Sequence, residues 1–133
     1  MKVLVDTSCW IQAFRNQDSF EASVIGTLLK EDSAVTSSLI VAELLQGVKT
    51  SKETLFLKRH FDVIPTLSGI DNLGIHAGEL GHHLKKRGYE IGILDLVLAV
   101  LALKHKVFVY SLDKHFKVIA KFISIKLFVP MKH

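Results

Sequence analysis

Cysteine is almost absent from this chain of 133 residues, where Cys9 stands alone. A single thiol closes no intramolecular disulfide, and no cysteine cluster exists to hold zinc, so a reducing compartment fits the composition. An export signal is also missing: Asp6 interrupts the N-terminus MKVLVDT where an unbroken apolar stretch is required, and no small-residue cleavage pattern is visible. The longest apolar segment, Ile91 to Leu103, contains Asp95 and falls short of the roughly 20 residues that a membrane span needs. These absences predict a cytoplasmic protein with no membrane partner. Repeats, linkers and low-complexity segments are lacking too, and the length is that of one domain, so residues 1–133 are expected to form a single one.

What the chain does contain is apolar mass. Hydrophobic residues make up 49% and charged residues 23%, a balance that offsets chain entropy by burial. Lys and Arg number 17 against 13 Asp and Glu, for a formal charge of +4. This mild cationic bias suits an anionic partner without requiring one.

Val3, Leu4 and Val5 form an apolar run with no alternation, then Asp6, Thr7 and Ser8 lead into the helical pattern CWIQAF. A strand apolar on both faces implies cover on both sides, as in a parallel sheet. Helical spacing recurs over Phe20 to Leu29, and Ala34 to Thr36 reads as a strand. Ser37 or Ser38 then caps a helix running to about Val48. Lys52 to Phe61 reads as helix and Val63–Ile64, before Pro65, as a brief strand. Ser68 or Asp71 is placed to cap a long helix ending in LKKRG at Gly88. Ile93 to His105 is an apolar helix and Val107 to Tyr110 a strand. A helix from Lys114 to Ala120 and a strand near Ile123 to Phe128 follow. The alternation predicts an α/β fold, a three-layer sandwich around a mostly parallel sheet.

Four acids sit where such a sheet collects function, beyond the carboxyl ends of its strands. Asp6 ends the first strand, Asp113 follows the strand closing at Tyr110, and Asp95 lies in the first turn of an apolar helix. Each of these three has a purely local alternative as a helix cap or a dipole charge. Glu43 has less of one, being surrounded in sequence by Leu39, Ile40, Val41, Ala42, Leu44 and Leu45, where an unpartnered carboxylate is costly. Gathered together, such carboxylates raise one another's proton affinity, and a divalent cation removes that cost. Hard oxygen donors suit magnesium or manganese, the ions used to cleave phosphodiesters.

The segments VDTSCWI, VAELLQG, IGILDLVLAVLAL and YSLDKHF, in this order and at these separations, resemble the four acidic motifs of the PIN domain, in particular the VapC toxins of toxin–antitoxin pairs. The resemblance spans nearly the whole chain. It implies a PIN-like fold and a metal-dependent endoribonuclease with RNA as substrate, using Mg2+ or Mn2+. It further implies a homodimer inhibited by a small antitoxin protein. It makes Asp6, Glu43, Asp95 and Asp113 the catalytic and metal-binding acids, with Thr7 and Ser111 as supporting hydroxyls. Two departures stand out. Lys104, His105 and Lys106 occupy a junction where the family often has glycine, and DLVLAV replaces the more usual DxxIAA.

Other features carry less. His76, His82 and His83 share a helix without an HExxH or paired-cysteine motif, which argues against a transition-metal site. Lys85, Lys86 and Arg87 read as a solvated helix end or as phosphate contacts, and Lys114 and His115, beside Asp113, are better placed for a phosphate. Trp10, Phe14 and the Phe20 to Leu29 segment read as core or as partner surface. A haloacid-dehalogenase-like phosphatase would need an Asp where Ser8 stands, and a response-regulator receiver would need paired acids early in the chain. The remaining rival is a non-enzymatic RNA-binding or scaffold protein that retains the fold.

Overall fold

A computed structural model describes residues 1–131. Its elements in order are β1 (Val3–Val5), α1 (Thr7–Arg15), α2 (Phe20–Lys30), β2 (Ala34–Val35), α3 (Ser38–Gln46), α4 (Ser51–Phe61), α5 (Gly74–Lys86), α6 (Ile93–His105), β3 (Phe108–Tyr110), α7 (His115–Ile119) and β4 (Lys126–Leu127), with one 3-10 turn at Ile70–Asn72. The four strands form one sheet in the order β2-β1-β3-β4. All pairings are parallel, with Val3 opposite both Ala34 and Phe108, and Val5 opposite Tyr110.

Every residue of β1 is buried, as a strand covered on both faces must be. The cover comes from two groups of helices. In one, α1 packs on α2 and α3, and α3 on α4; in the other, α6 packs on α5 and α7. Helix α6 is the most deeply set, with Leu98, Ala99, Leu101 and Ala102 at 1% exposure or less, and its residue range is the one the apolar pattern predicts. From β1 the chain moves outward to β2, then returns to the other side of β1 to form β3. The order therefore reverses between β1 and β3, and an open α/β sheet has its crevice at that point, beyond the carboxyl ends.

Several boundaries depart from the sequence reading. No strand forms at Val63–Ile64, and Val63 is exposed. The extra pairing forms after the proline instead, as an isolated bridge between Thr36 and Thr66. Pro65 has no N–H to donate, but its carbonyl accepts the Thr36 N–H at 2.9 Å. The long helix expected from Ser68 or Asp71 starts later, at Gly74, because Gly69 adopts φ +92° and a 3-10 turn intervenes. The helix expected to reach about Val48 stops at Gln46, and the last strand shrinks to Lys126–Leu127.

The departure at Lys104 to Lys106 has a structural counterpart. Lys106 closes α6 in the left-handed conformation, φ 56°, where glycine is favoured and a Cβ costs about 1 kcal/mol. Replacing Lys106 with Gly should therefore raise the melting temperature slightly. Leu101→Ala, which hollows the buried side of α6, should instead cost about 2–5 kcal/mol. Thermal melting followed by circular dichroism checks both signs.

Candidate active site

The crevice between β1 and β3 is closed by backbone first. The Asp6 N–H donates to the Tyr110 carbonyl at 2.9 Å, which ties together the carboxyl ends of the two strands. Asp6 is 6% exposed and takes the N-cap position of α1, yet its side chain caps nothing. Its Oδ2 accepts instead from the hydroxyls of Ser8, at 2.9 Å, and Ser111, at 2.8 Å. Each hydroxyl in turn accepts a backbone N–H from the loop after β3: Leu112 to Ser8 Oγ at 3.0 Å and Asp113 to Ser111 Oγ at 2.9 Å. Ser8 thus belongs to the site, though the sequence reading passed over it. Its position two residues after Asp6 was the available signal.

The remaining acids arrive from separate elements. Glu43, on α3, accepts the Thr7 hydroxyl at 2.7 Å. Its helix face is more open than its apolar neighbours suggest, since Ala42 is exposed and Glu43 only half-buried. Asp95 lies in the first turn of α6 and Asp113 in the loop after β3. His115 joins these two: its Nδ1 lies 3.0 Å from Asp95 Oδ2 and 3.3 Å from Asp113 Oδ1. Ligand atoms of Asp95, Asp113 and His115 all fall within 4.8 Å of one another, a spacing that suits a metal ion. Asp6 and Glu43 flank this tight group and couple to it through charge. Asp113 does satisfy one helix-start amide, the His115 N–H at 2.9 Å, so its capping role and its place in the cluster coexist.

Burial is the first cause that raises the proton affinity of Glu43. The charges of Asp6 and Asp95 add to it, and the Thr7 hydroxyl opposes it. Asp95 is raised in the same way, first by burial and then by Asp6 and Asp113, against the hydrogen bond and charge of His115. Among the described residues, no Lys or Arg forms an ion pair with any of the four acids. Lys85 pairs with Glu90 at 3.7 Å on the surface, and Lys114 is exposed beside Asp113. His83 accepts from Arg87, while His76 and His82 are exposed; His115 is the histidine that meets the carboxylates. Trp10 proves to be core at 1% exposure, with Phe14 stacked on it at 5.7 Å.

Sequence and fold comparisons agree with this architecture. The PIN domain family model matches residues 3–122. Over 128 residues the chain is 28% identical to VapC ribonuclease Mb1587 of Mycobacterium bovis, covering 93% of this chain and 96% of that protein. Ribonuclease VapC11 of Mycobacterium tuberculosis matches to the same extent. Among solved structures, VapBC2 from Rickettsia felis, bound to a promoter DNA fragment, superposes with a TM-score of 0.75 at 22% identity, covering 96% of this chain and 97% of that one. VapBC-1 from nontypeable Haemophilus influenzae gives 0.75 at 21%, covering 96% of each chain. With strand-end acids on a parallel sheet and a family match over most of its length, the chain belongs to the PIN domain family.

Proposed function

We propose that this protein is a metal-dependent endoribonuclease that hydrolyses RNA phosphodiester bonds, acting as the toxin of a type II toxin–antitoxin pair. The observation that carries the reading is the gathering of Asp6, Glu43, Asp95 and Asp113 around one crevice with, among the described residues, no Lys or Arg paired to them. Phosphate would be repelled by such a cluster alone, which disfavours a purely RNA-binding or scaffold role. The donor set fits a hard divalent cation, because carboxylate oxygens dominate it and neutral hydroxyls aim several of them. Asp6, Glu43, Asp95 and Asp113 would hold Mg2+ or Mn2+, with Thr7 and Ser111 in support. When bound, the ion supplies Lewis acidity for hydrolysis, lowering the pKa of water and offsetting charge on the phosphate.

The chain's own contribution is orientation. Ser8 and Ser111 point one oxygen of Asp6, Thr7 points one oxygen of Glu43, and the loop after β3 carries Asp113 to the same crevice. Lys114, exposed beside the acids, is placed to meet a phosphate oxygen of the RNA, and the formal charge of +4 favours approach of a polyanion. The relatives are named ribonucleases and the structural neighbours VapBC complexes, which supports an RNA substrate and a small antitoxin partner here also; the homodimer is proposed from the family resemblance. Residues of α1 and α2 are proposed to contribute to the antitoxin contact, and a cytoplasmic setting follows from that role.

Asp95→Asn keeps the side-chain shape and removes charge. Since changes in the outer shell of a metal site already cost 10–100-fold, cleavage of total cellular RNA in Mg2+ should fall by about a hundredfold or more. The wild type and variant should melt alike in chelator at acid pH. Undiminished cleavage by Asp95→Asn, scored on denaturing gels, would reject the assignment.

The raised proton affinity of Glu43 and Asp95 has a defined sign. Native protein holds protons that unfolded chains release, so the stability from these groups is full below the ordinary carboxylate range near 4 and is lost as pH rises through the raised folded values. In chelator, the melting temperature of Glu43→Gln should therefore gain on the wild type as pH rises towards neutral. Saturating the wild type with Mg2+ at one hundred times its Kd should add about 2.7 kcal/mol near pH 7. A pH-independent gap between the two proteins, or an equal Mg2+ shift in Asp95→Asn, would contradict the proposed site.

A further inference from the structure

Three of the four acids are held by hydroxyl or backbone donors. Asp6 takes two hydroxyls, Glu43 takes the hydroxyl of Thr7, and Asp113 takes the N–H of His115. Asp95 differs. Its hydrogen-bond partner among the described residues is the imidazole of His115, which arrives from another element 20 residues away. Resting on the nuclease reading, we propose that His115 is a positioning residue of the site: its Nδ1–H, held between Asp95 Oδ2 and Asp113 Oδ1, sets the spacing and orientation of the two carboxylates that receive the metal ion.

The geometry carries this in three ways. Nδ1 hydrogen-bonds Asp95 Oδ2 at 3.0 Å and lies within ion-pair reach of Asp113 Oδ1 at 3.3 Å; with both carboxylates ionised, Nδ1 is the donor, because an ionised carboxylate only accepts. The same residue also donates its backbone N–H to Asp113 Oδ1 at 2.9 Å, so one residue holds that oxygen by its backbone and sets its ring 3.3 Å away. The ring itself is anchored, since His115 opens α7 and the next residue, Phe116, is 1% exposed, with Ile119 fully buried one turn on. Packing of α7 on α6 thereby fixes the distance between the imidazole and Asp95. Losing this contact would leave Asp95 without its hydrogen-bond partner among the described residues, free to rotate away from Asp113 and half-buried beside Asp6 and Asp113.

The test separates Nδ1 from the rest of the ring. An Asn side chain places its amide nitrogen near the position of Nδ1, whereas Gln reaches the position of Nε2. Mn2+ binding is measured alone, without RNA, from the loss of the free-ion signal in electron paramagnetic resonance, for wild type, His115→Ala, His115→Asn, His115→Gln and Asp95→Asn. Ala and Gln are expected to weaken binding by about tenfold or more, the scale of an outer-shell ligand support, and Asn to restore most of it. Melting curves in chelator report folding, and if the Ala variant unfolds, the contrast between Asn and Gln still decides. Equal Mn2+ affinity in Asn and Gln variants, or wild-type affinity in Ala, would overturn the positioning role while leaving the nuclease reading intact provided Asp95→Asn loses the ion. No Mn2+ binding by the wild type would overturn both. A pulsed-resonance coupling from a nitrogen bonded directly to Mn2+ would also overturn it, because His115 would then be a ligand.

Discussion

Negative charge gathered where, among the described residues, no Lys or Arg answers it is the constraint on which the site depends. Bringing carboxylates together in a half-buried crevice is unfavourable, and the structure answers with dipoles: hydroxyls on Asp6 and Glu43, a backbone amide on Asp113 and an imidazole N–H on Asp95. Neutral donors aim lone pairs without cancelling charge. A lysine in their place would stabilise the apo protein and occupy the space that an ion needs. The raised proton affinity of Glu43 and Asp95 comes first from burial and then from the neighbouring acids.

The rest of the fold can be understood as the frame for this crevice. Its sheet is small, with strands of two or three residues, and contributes position more than mass. Mass comes from helices, above all α6, whose buried face of Leu98, Ala99, Leu101 and Ala102 seats Asp95 one turn earlier at the crevice. Acids at the end of β1, on α3, on α6 and in the loop after β3 are far apart in sequence, so their meeting depends on cooperative packing of both helical groups. The framework also tolerates local strain away from the site, as at Lys106, where the turn between α6 and β3 is made without glycine.

Charge is distributed unevenly in a way that serves the proposed chemistry. The body is cationic by four formal charges, yet the crevice is acidic, with Lys114 at its edge. A polyanion drawn to such a surface meets the carboxylates productively only when an ion mediates between them. Cys9 plays no part in this: it is fully buried, and burial followed by the nearby Asp6 charge pushes its thiol up to about 12, which leaves it inert.

The sequence by itself determined the layer architecture and singled out the four acids of the proposed site. The unalternating run Val3 to Val5 demanded a doubly covered strand, and the apolar pattern from Ile93 to His105 matched α6 residue for residue. Asp6 and Asp113 were legible because strand ends are marked by local composition, and Glu43 because its neighbours gave it no local partner. Elements governed by non-local pairing were not legible: the bridge at Thr66 depends on what Thr36 offers across the chain, and the late start of α5 on a turn at Gly69. The tertiary structure alone decided which donors hold which acids. Ser8 reaches Ser111 across 103 positions, and His115 reaches Asp95 across 20, contacts that no local periodicity encodes because they exist only once β1, β3 and α6 lie side by side.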